Sequence, residues 1–309
     1  MNTNMVWFQG VVEDRNDPLQ LGRVKIRCVG YHTDDKTELP TEDLAWATPV
    51  QPITSAAMSG IGTTPVGPVE GSWVVGFFRD GTQTQLPVFF GTLGGIQSQP
   101  ARDGRGFKDP NGNYPLTEGP NAVGNADTNS LARGAGGVPL ETRIENLDAM
   151  LSADPDTPFL FNPVDENAPR YAAEYPFNHV KFTESGHVEE FDDTPGAERM
   201  HRYHRPGTFE EIGPDGERTL KVVNKNYTVV MGENDLHVVG PCNVQVDGAT
   251  SVILAQGAKI TSLRDFELTV IGVFKVNALG KATMNGLQTD IRGFPINLNG
   301  PPDPDDIPV

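Results

Sequence analysis

The residues best equipped for chemistry lie in one short stretch. His201-Arg202-Tyr203-His204 sits close in sequence to His179, His187, Asp192 and Asp193. Imidazoles beside carboxylates are zinc-ligand types. The spacing argues against a metal: His-x-x-His lacks the helical His-Glu-x-x-His frame of a zinc hydrolase. The flanking pattern reads as strand, where residues three apart face opposite sides. One ion does not easily take both, so these side chains are read as hydrogen-bonding and cross-strand partners. No metal, cofactor or catalytic residue is assigned.

Paired carboxylates are the second candidate. Glu118, Asp127, Glu141, Glu145 and Asp148 fall in one Gly- and Pro-rich region. Glycoside hydrolysis needs an acid and a nucleophile held at a set separation, and nothing frames these five that way. They read as solvated charge. Asp265 and Glu267 share a strand face further on, which keeps one enzymatic reading open: a carbohydrate-degrading enzyme on a β-solenoid. Cys28 and Cys242 are too few for a disulfide framework. They read as small apolar residues, and copies of Cys242 could meet near an axis if the chain trimerises.

Charge narrows the partners. The 309 residues carry 41 acidic and 24 basic side chains, a net charge of -17. Nucleic acid is excluded as a partner, since it requires a basic footprint. Anionic lipid would repel such a surface. Met1 to Gly10 lacks the basic start and apolar core of a signal peptide. Folding in a cytoplasm is expected.

The stretch that must position everything else runs from Thr228 to Met284 and repeats every eight residues. One column reads Leu236, Val244, Val252, Ile260, Leu268, Val276, Met284. A second reads Val230, Val238, Val246, Leu254, Ser262, Val270, Ala278. A third holds Gly232, Gly240, Gly248, then Gln256 and Arg264, then Gly272 and Gly280. Eight smears around a helix of 3.6 residues per turn. It is even, so in a strand of period two it keeps one parity on one face. The apolar columns share that parity. Most odd positions are polar and read as a solvent face, with Val239, Ile253, Leu263 and Ile271 as exceptions. The glycines give each strand a place to bend.

One such ribbon does not bury its own face, and its open edges would pair with other chains. Two closures are open. A single chain could coil into a solenoid, though solenoid coils usually need repeats of roughly 20 residues. Three chains could instead wind around one axis. In that arrangement the core is Val230, Leu236, Val238, Val244, Val246, Val252, Leu254, Ile260, Leu268, Val270, Val276 and Met284. At the breaks Gln256, Ser262 and Arg264, the cross-section widens, the interior holds water or an anion near Arg264, or a local twist turns Gln256 and Arg264 outward.

The N-terminal region has a different pattern. Strand candidates are Val6–Val12, Arg23–Val29, Leu44–Val50, Ser72–Arg79 and Pro87–Gly91, separated by Asn16-Asp17-Pro18, Gly30, Gly60-Ile61-Gly62 and Asp80-Gly81. Five short strands suit a small barrel such as the OB-fold. The opening Phe8-Gln9-Gly10-Val11-Val12-Glu13, then Asn16-Asp17-Pro18, then Leu21-Gly22-Arg23-Val24-Lys25-Ile26 is followed by Ala45-Trp46-Ala47, Gly71–Gly81 and Pro87–Gly91. This ordered set resembles the OB-fold domain of central spike proteins of contractile phage tails and of the VgrG spikes of type VI secretion. A further run, Tyr171–Val180 and Glu184–Gly196 with Arg199, His201 and His204, is similar to the same proteins just upstream of their β-needle.

The resemblance implies an all-β homotrimer. Its expected parts are an OB-fold collar at 1–95, an extended linker at 96–175 with a short helix near 140–151, a needle entry region at 176–227, the octad β-helix at 228–292, and a tip and acidic tail at 293–309. It implies a structural, cell-puncturing role in the baseplate of a virion assembled in the host cytoplasm. The collar would dock on a hub protein. The needle would end under a separate PAAR-type tip protein and be driven through the bacterial outer membrane. The linker is too short for the muramidase domain that some such spikes carry. No histidine follows His237, so the His-lined iron tip of similar needles is not expected. A VgrG-like secretion spike is the remaining alternative. It is disfavoured because the OB motif begins at about Val6, which leaves no room for a fused hub domain.

Overall fold

Alternation and bulges together close the N-terminal strands on themselves. The structure is a computed structural model that describes residues 5–101, 103–135, 171–242, 244, 246, 248–288 and 292. Five strands, β1 (Val6–Asp14), β2 (Val24–Cys28), β3 (Trp46–Pro49), β4 (Trp73–Phe78) and β5 (Pro87–Leu93), form a closed barrel in the order β1-β2-β3-β5-β4. This is the OB-type barrel expected. All its pairs are antiparallel except β3 with β5. Register shifts between Val12 and Asp14 and between Val75 and Gly76 bend the sheet into a barrel.

The barrel core is Phe8, Val12, Val24, Ile26, Cys28, Ala47, Val74, Phe78 and Phe89. β4 alternates buried and half-buried along its length, so Val74, Gly76 and Phe78 point inward. Gly76 is required by packing: a Cβ there would collide with the Val88 carbonyl and the Phe8 ring. β2 is buried at every position, because its outer face is covered as well.

A second sheet follows. β6 (Asn178–Phe182), β7 (Val188–Asp192), β8 (Arg199–Tyr203), β9 (Phe209–Ile212) and β10 (Arg218–Lys221) form an antiparallel meander. The Thr-Pro-Gly and Pro-Asp-Gly signals make two of its turns, with Gly196 and Gly216 at φ 77° and 79°. One end of its inner face is apolar, where Leu131 packs with Val188, Tyr203 and Phe209.

Residues 103–135 contain no helix or strand among the described positions, yet they are packed down. Ser130 and Leu131 are buried, and the Tyr171 hydroxyl donates to the Leu131 carbonyl at 2.7 Å. The helix expected near 140–151 and the tip and tail at 293–309 lie outside the described residues.

The octad run takes no strand conformation among the described residues from 222 to 288. It bends at 231–232, 239–240, 255–256, 263–264, 271–272 and 279–280, again a period of eight. Residues up to Gln245 and from Val246 onward fall into two separate units.

Candidate assembly surfaces

The histidines do not converge. His201 lies on the inner face of β8 with Arg199 and Tyr203. Its Nδ1 is 2.7 Å from Glu190 Oε2 on β7. Arg199 bridges Glu190 at 2.9 Å and Glu211 of β9 at 3.2 Å. Asn178 of β6 donates to Glu190 at 2.9 Å, and the Arg199 guanidinium lies over the Tyr171 ring. All these charged groups are buried. Burial pushes the Glu190 carboxyl up, but the His201 hydrogen bond and the Arg199 charge outweigh it and hold the carboxyl below its ordinary value.

His204 sits beyond the end of β8 and stacks on His187, with ring centroids 4.5 Å apart. His179 is exposed beside Asp193 at 3.5 Å. Asp192 accepts from the Thr194 hydroxyl at 2.6 Å. Among the described residues, no group of three or more His, Cys, Asp and Glu is placed to hold a metal ion. The inner face of this sheet is therefore a paired-charge network, more than the cross-strand pairs that the spacing alone suggests. The signal is present in the letters: Glu190, Asp192, Arg199, His201 and Glu211 share the parity of Val188, Tyr203 and Phe209.

A second buried pair lies on the outer wall of the barrel. Arg27 Nε donates to Glu13 Oε1 at 2.7 Å, and both side chains are fully enclosed. The remaining guanidinium donors reach the carbonyls of Thr33 and Leu39 at 2.7 and 2.8 Å. Glu13 also accepts from the Thr41 hydroxyl at 2.7 Å and from the Phe107 amide at 2.8 Å. Gly106 passes so close to the Arg27 guanidinium that any Cβ would overlap it. The pair thus pins residues 33–41 and the irregular segment at 106–107 to β1 and β2. Burial pushes the Glu13 carboxyl up, yet the hydrogen bonds from Arg27, Thr41 and Phe107 bring it below its ordinary value.

The Asn16-Asp17-Pro18…Leu21-Gly22-Arg23 motif is a carboxylate-centred turn. Asp17 accepts the amides of Leu19, Leu21 and Arg23 and two hydrogen bonds from the Arg23 guanidinium. These hold its carboxyl far below the usual range. Next to it, the barrel meets the second sheet. Arg15 makes a bidentate contact with Glu184 at 2.8 and 2.9 Å, and Tyr114 donates to the same carboxylate.

The barrel also carries an aromatic outer face. Trp7, Phe77 and Phe90 meet edge to face across β1, β4 and β5, with centroids 5.8–5.9 Å apart, and Trp7 is 55% exposed. Cys28 is inside the barrel, where burial pushes its thiol up to about 12. Cys242 is exposed.

All twelve residues expected to form the core of the octad run are exposed in the single chain, from 44% at Val270 to 83% at Leu236. Val230, Val238, Val244, Val246, Val252, Leu254, Ile260, Leu268, Val276 and Met284 lie between these two. Phe266 and Phe274, which share their parity and spacing, are 68% and 62% exposed.

A family model for the Gp5 N-terminal OB domain matches residues 30–171, which takes in β3 to β5 and the described residues 103–135. Protein Gp5 of Vibrio phage KVP40 is 40% identical over 272 residues, 78% of this chain and 63% of the relative. The pre-baseplate central spike protein Gp5 of Enterobacteria phage T4 is 43% identical over 176 residues, 54% of this chain and 29% of the relative. The chain spans less than two thirds of either relative's length. These similarities uphold the resemblance to contractile-tail phage central spikes that the sequence motifs carried.

Proposed function

We propose that this chain, similar to phage Gp5 spike proteins, is the central spike of a contractile-tail baseplate. It works as a homotrimer in the virion. The barrel is a collar that docks on a hub protein, and three octad runs wind into a β-helix needle capped by a PAAR-type tip protein. The needle carries the thrust of contraction through the bacterial outer membrane.

The observation that carries this reading is the exposure of every core column of the octad run. Large apolar side chains left in water forgo about 1.5–3 kcal/mol each of burial free energy. Backbone amides and carbonyls that form no ladder within the chain need partners as well. Three identical chains supply both at once. Mechanical stiffness then follows, because bending or unwinding breaks many hydrogen bonds together.

The role is structural and not enzymatic. In support, Asp127 is occupied in tying two distant segments together, where it accepts the Gly95 amide at 2.7 Å. Mass photometry and detergent-gel migration of unheated and boiled protein test the trimer. A single-chain mass at micromolar concentration would sink the reading. Release of reducing ends from peptidoglycan or capsule would sink its non-enzymatic part.

A further inference from the structure

The bends of the octad run carry a second apolar column. The residue at the start of the bend is Met231, Val239, Leu263, Ile271, Leu279 and Leu287 in six of the repeats, each eight residues or a multiple of eight apart. Ala255 keeps to the pattern and Asp247 breaks it. These positions are odd, opposite in parity to the core columns, so they read at first as isolated apolar residues on a solvent face. The bends give them one common position in the repeat. Each of the six is 92–112% exposed, more than any core-column residue.

The neighbouring glycines pose a related question. Gly232, Gly240, Gly272 and Gly280 do not have positive φ. A Cβ added at any of them would meet nothing within 4 Å. Nothing inside one chain excludes a side chain there, so the demand for glycine comes from outside the chain. A surface that repeats the same chemistry every eight residues is matched along its length only by a partner of the same period. This chain has that period.

We propose that the bend column packs on a second copy of this chain, with each apolar side chain seated at the glycine bend of a neighbour. The inference rests on the three-chain needle proposed above and adds a seam between walls to its central core. It assigns Leu263, Ile271 and Leu279 to the interface and not to solvent.

Two variants and two controls test it in the full-length protein. The first variant combines Leu263→Ser, Ile271→Ser and Leu279→Ser. The second is Ile271→Cys in a Cys242→Ser background, which reads burial without disturbing folding. Val252→Asp reports on the central core, and wild type reports on oligomeric state. The expected result is a triple variant whose detergent-resistant band disappears at temperatures where wild type keeps it. The thiol introduced by Ile271→Cys should react at least ~10-fold more slowly in the assembled protein than after denaturation. Wild-type resistance in the triple variant, with a freely reactive thiol, would overturn the seam and leave the trimer standing. A triple variant that stays fully resistant but loses wild-type flotation with phosphatidylcholine vesicles would overturn it in favour of a lipid contact. A monomeric wild type would overturn both.

Discussion

The barrel and the octad run obey the same alternation rule and reach opposite ends. In β4, Val74 and Phe78 alternate with half-buried neighbours, and the inward parity is enclosed by four other strands. In the octad run, Val252 and Ile260 hold equally regular positions and remain 74% and 82% exposed. The difference lies in the connections. The barrel has unequal turns, two register shifts and a crossover that brings β5 beside β3. Equal bends every eight residues provide no such return. The barrel's closure inside one chain draws on that irregularity, which the octad run lacks among the described residues.

The comparison breaks most sharply at a single core position. In the proposed three-chain needle, Val252→Asp would place a charge from each chain near one axis, and burying an unpaired charge is prohibitive. Light scattering should show complete loss of the oligomer, while near-ultraviolet circular dichroism of the barrel stays unchanged. A stable trimer from this variant would remove Val252 from the interior.

The converse substitution acts on the barrel alone. Arg27→Met leaves Glu13 buried without its partner, which typically costs about 3–5 kcal/mol. Urea unfolding followed by tryptophan emission should register that loss. Heat-resistant migration of the proposed trimer should persist.

Acid should separate the regions more gently. Glu13 and Glu190 both have carboxyls held below their ordinary value. Their stabilisation is fully present above the unfolded value, near pH 4.3. It drains away as pH falls through the lower folded values. Urea midpoints of the barrel and second sheet should therefore fall below about pH 4. Dissociation of the octad run, whose core columns carry no carboxylate, should move less. Equal shifts in both would place titrating groups inside the proposed needle.

The smallest effect belongs to the junction between barrel and second sheet. Arg15 and Glu184 are partly exposed. Glu184→Ala, which keeps the ion pair of Arg15 with the buried Glu70, should cost no more than about 1 kcal/mol. The loss should shrink further in high salt, which differential scanning calorimetry at two ionic strengths can resolve.

The sequence made the strands legible where apolar alternation met turn chemistry. All five barrel strands fall within two residues of their expected starts, and Asp17-Pro18 marks a turn built on a carboxylate. Other features were hidden for physical reasons. Residues 103–135 lack periodicity, so nothing local reveals that Phe107 caps Glu13. Glu190 and Glu211 share the inward parity of their strands, but acidic residues are seldom enclosed, so parity alone does not announce their burial. Their burial depends on Arg199, which comes close only once β7, β8 and β9 are paired. The bend column was in plain view as letters, but without the bend positions its members looked scattered.

The equal spacing of the bends has one more consequence. Identical repeats can be mispaired by a whole unit at little cost, as two combs can mesh one tooth out of step. In the three-chain needle proposed above, the interruptions at Gln256, Ser262 and Arg264 would remove that degeneracy, because a chain displaced by one unit would lose the match at every break. The least regular part of the run would then serve as its index mark, the place where assembling copies find their common alignment.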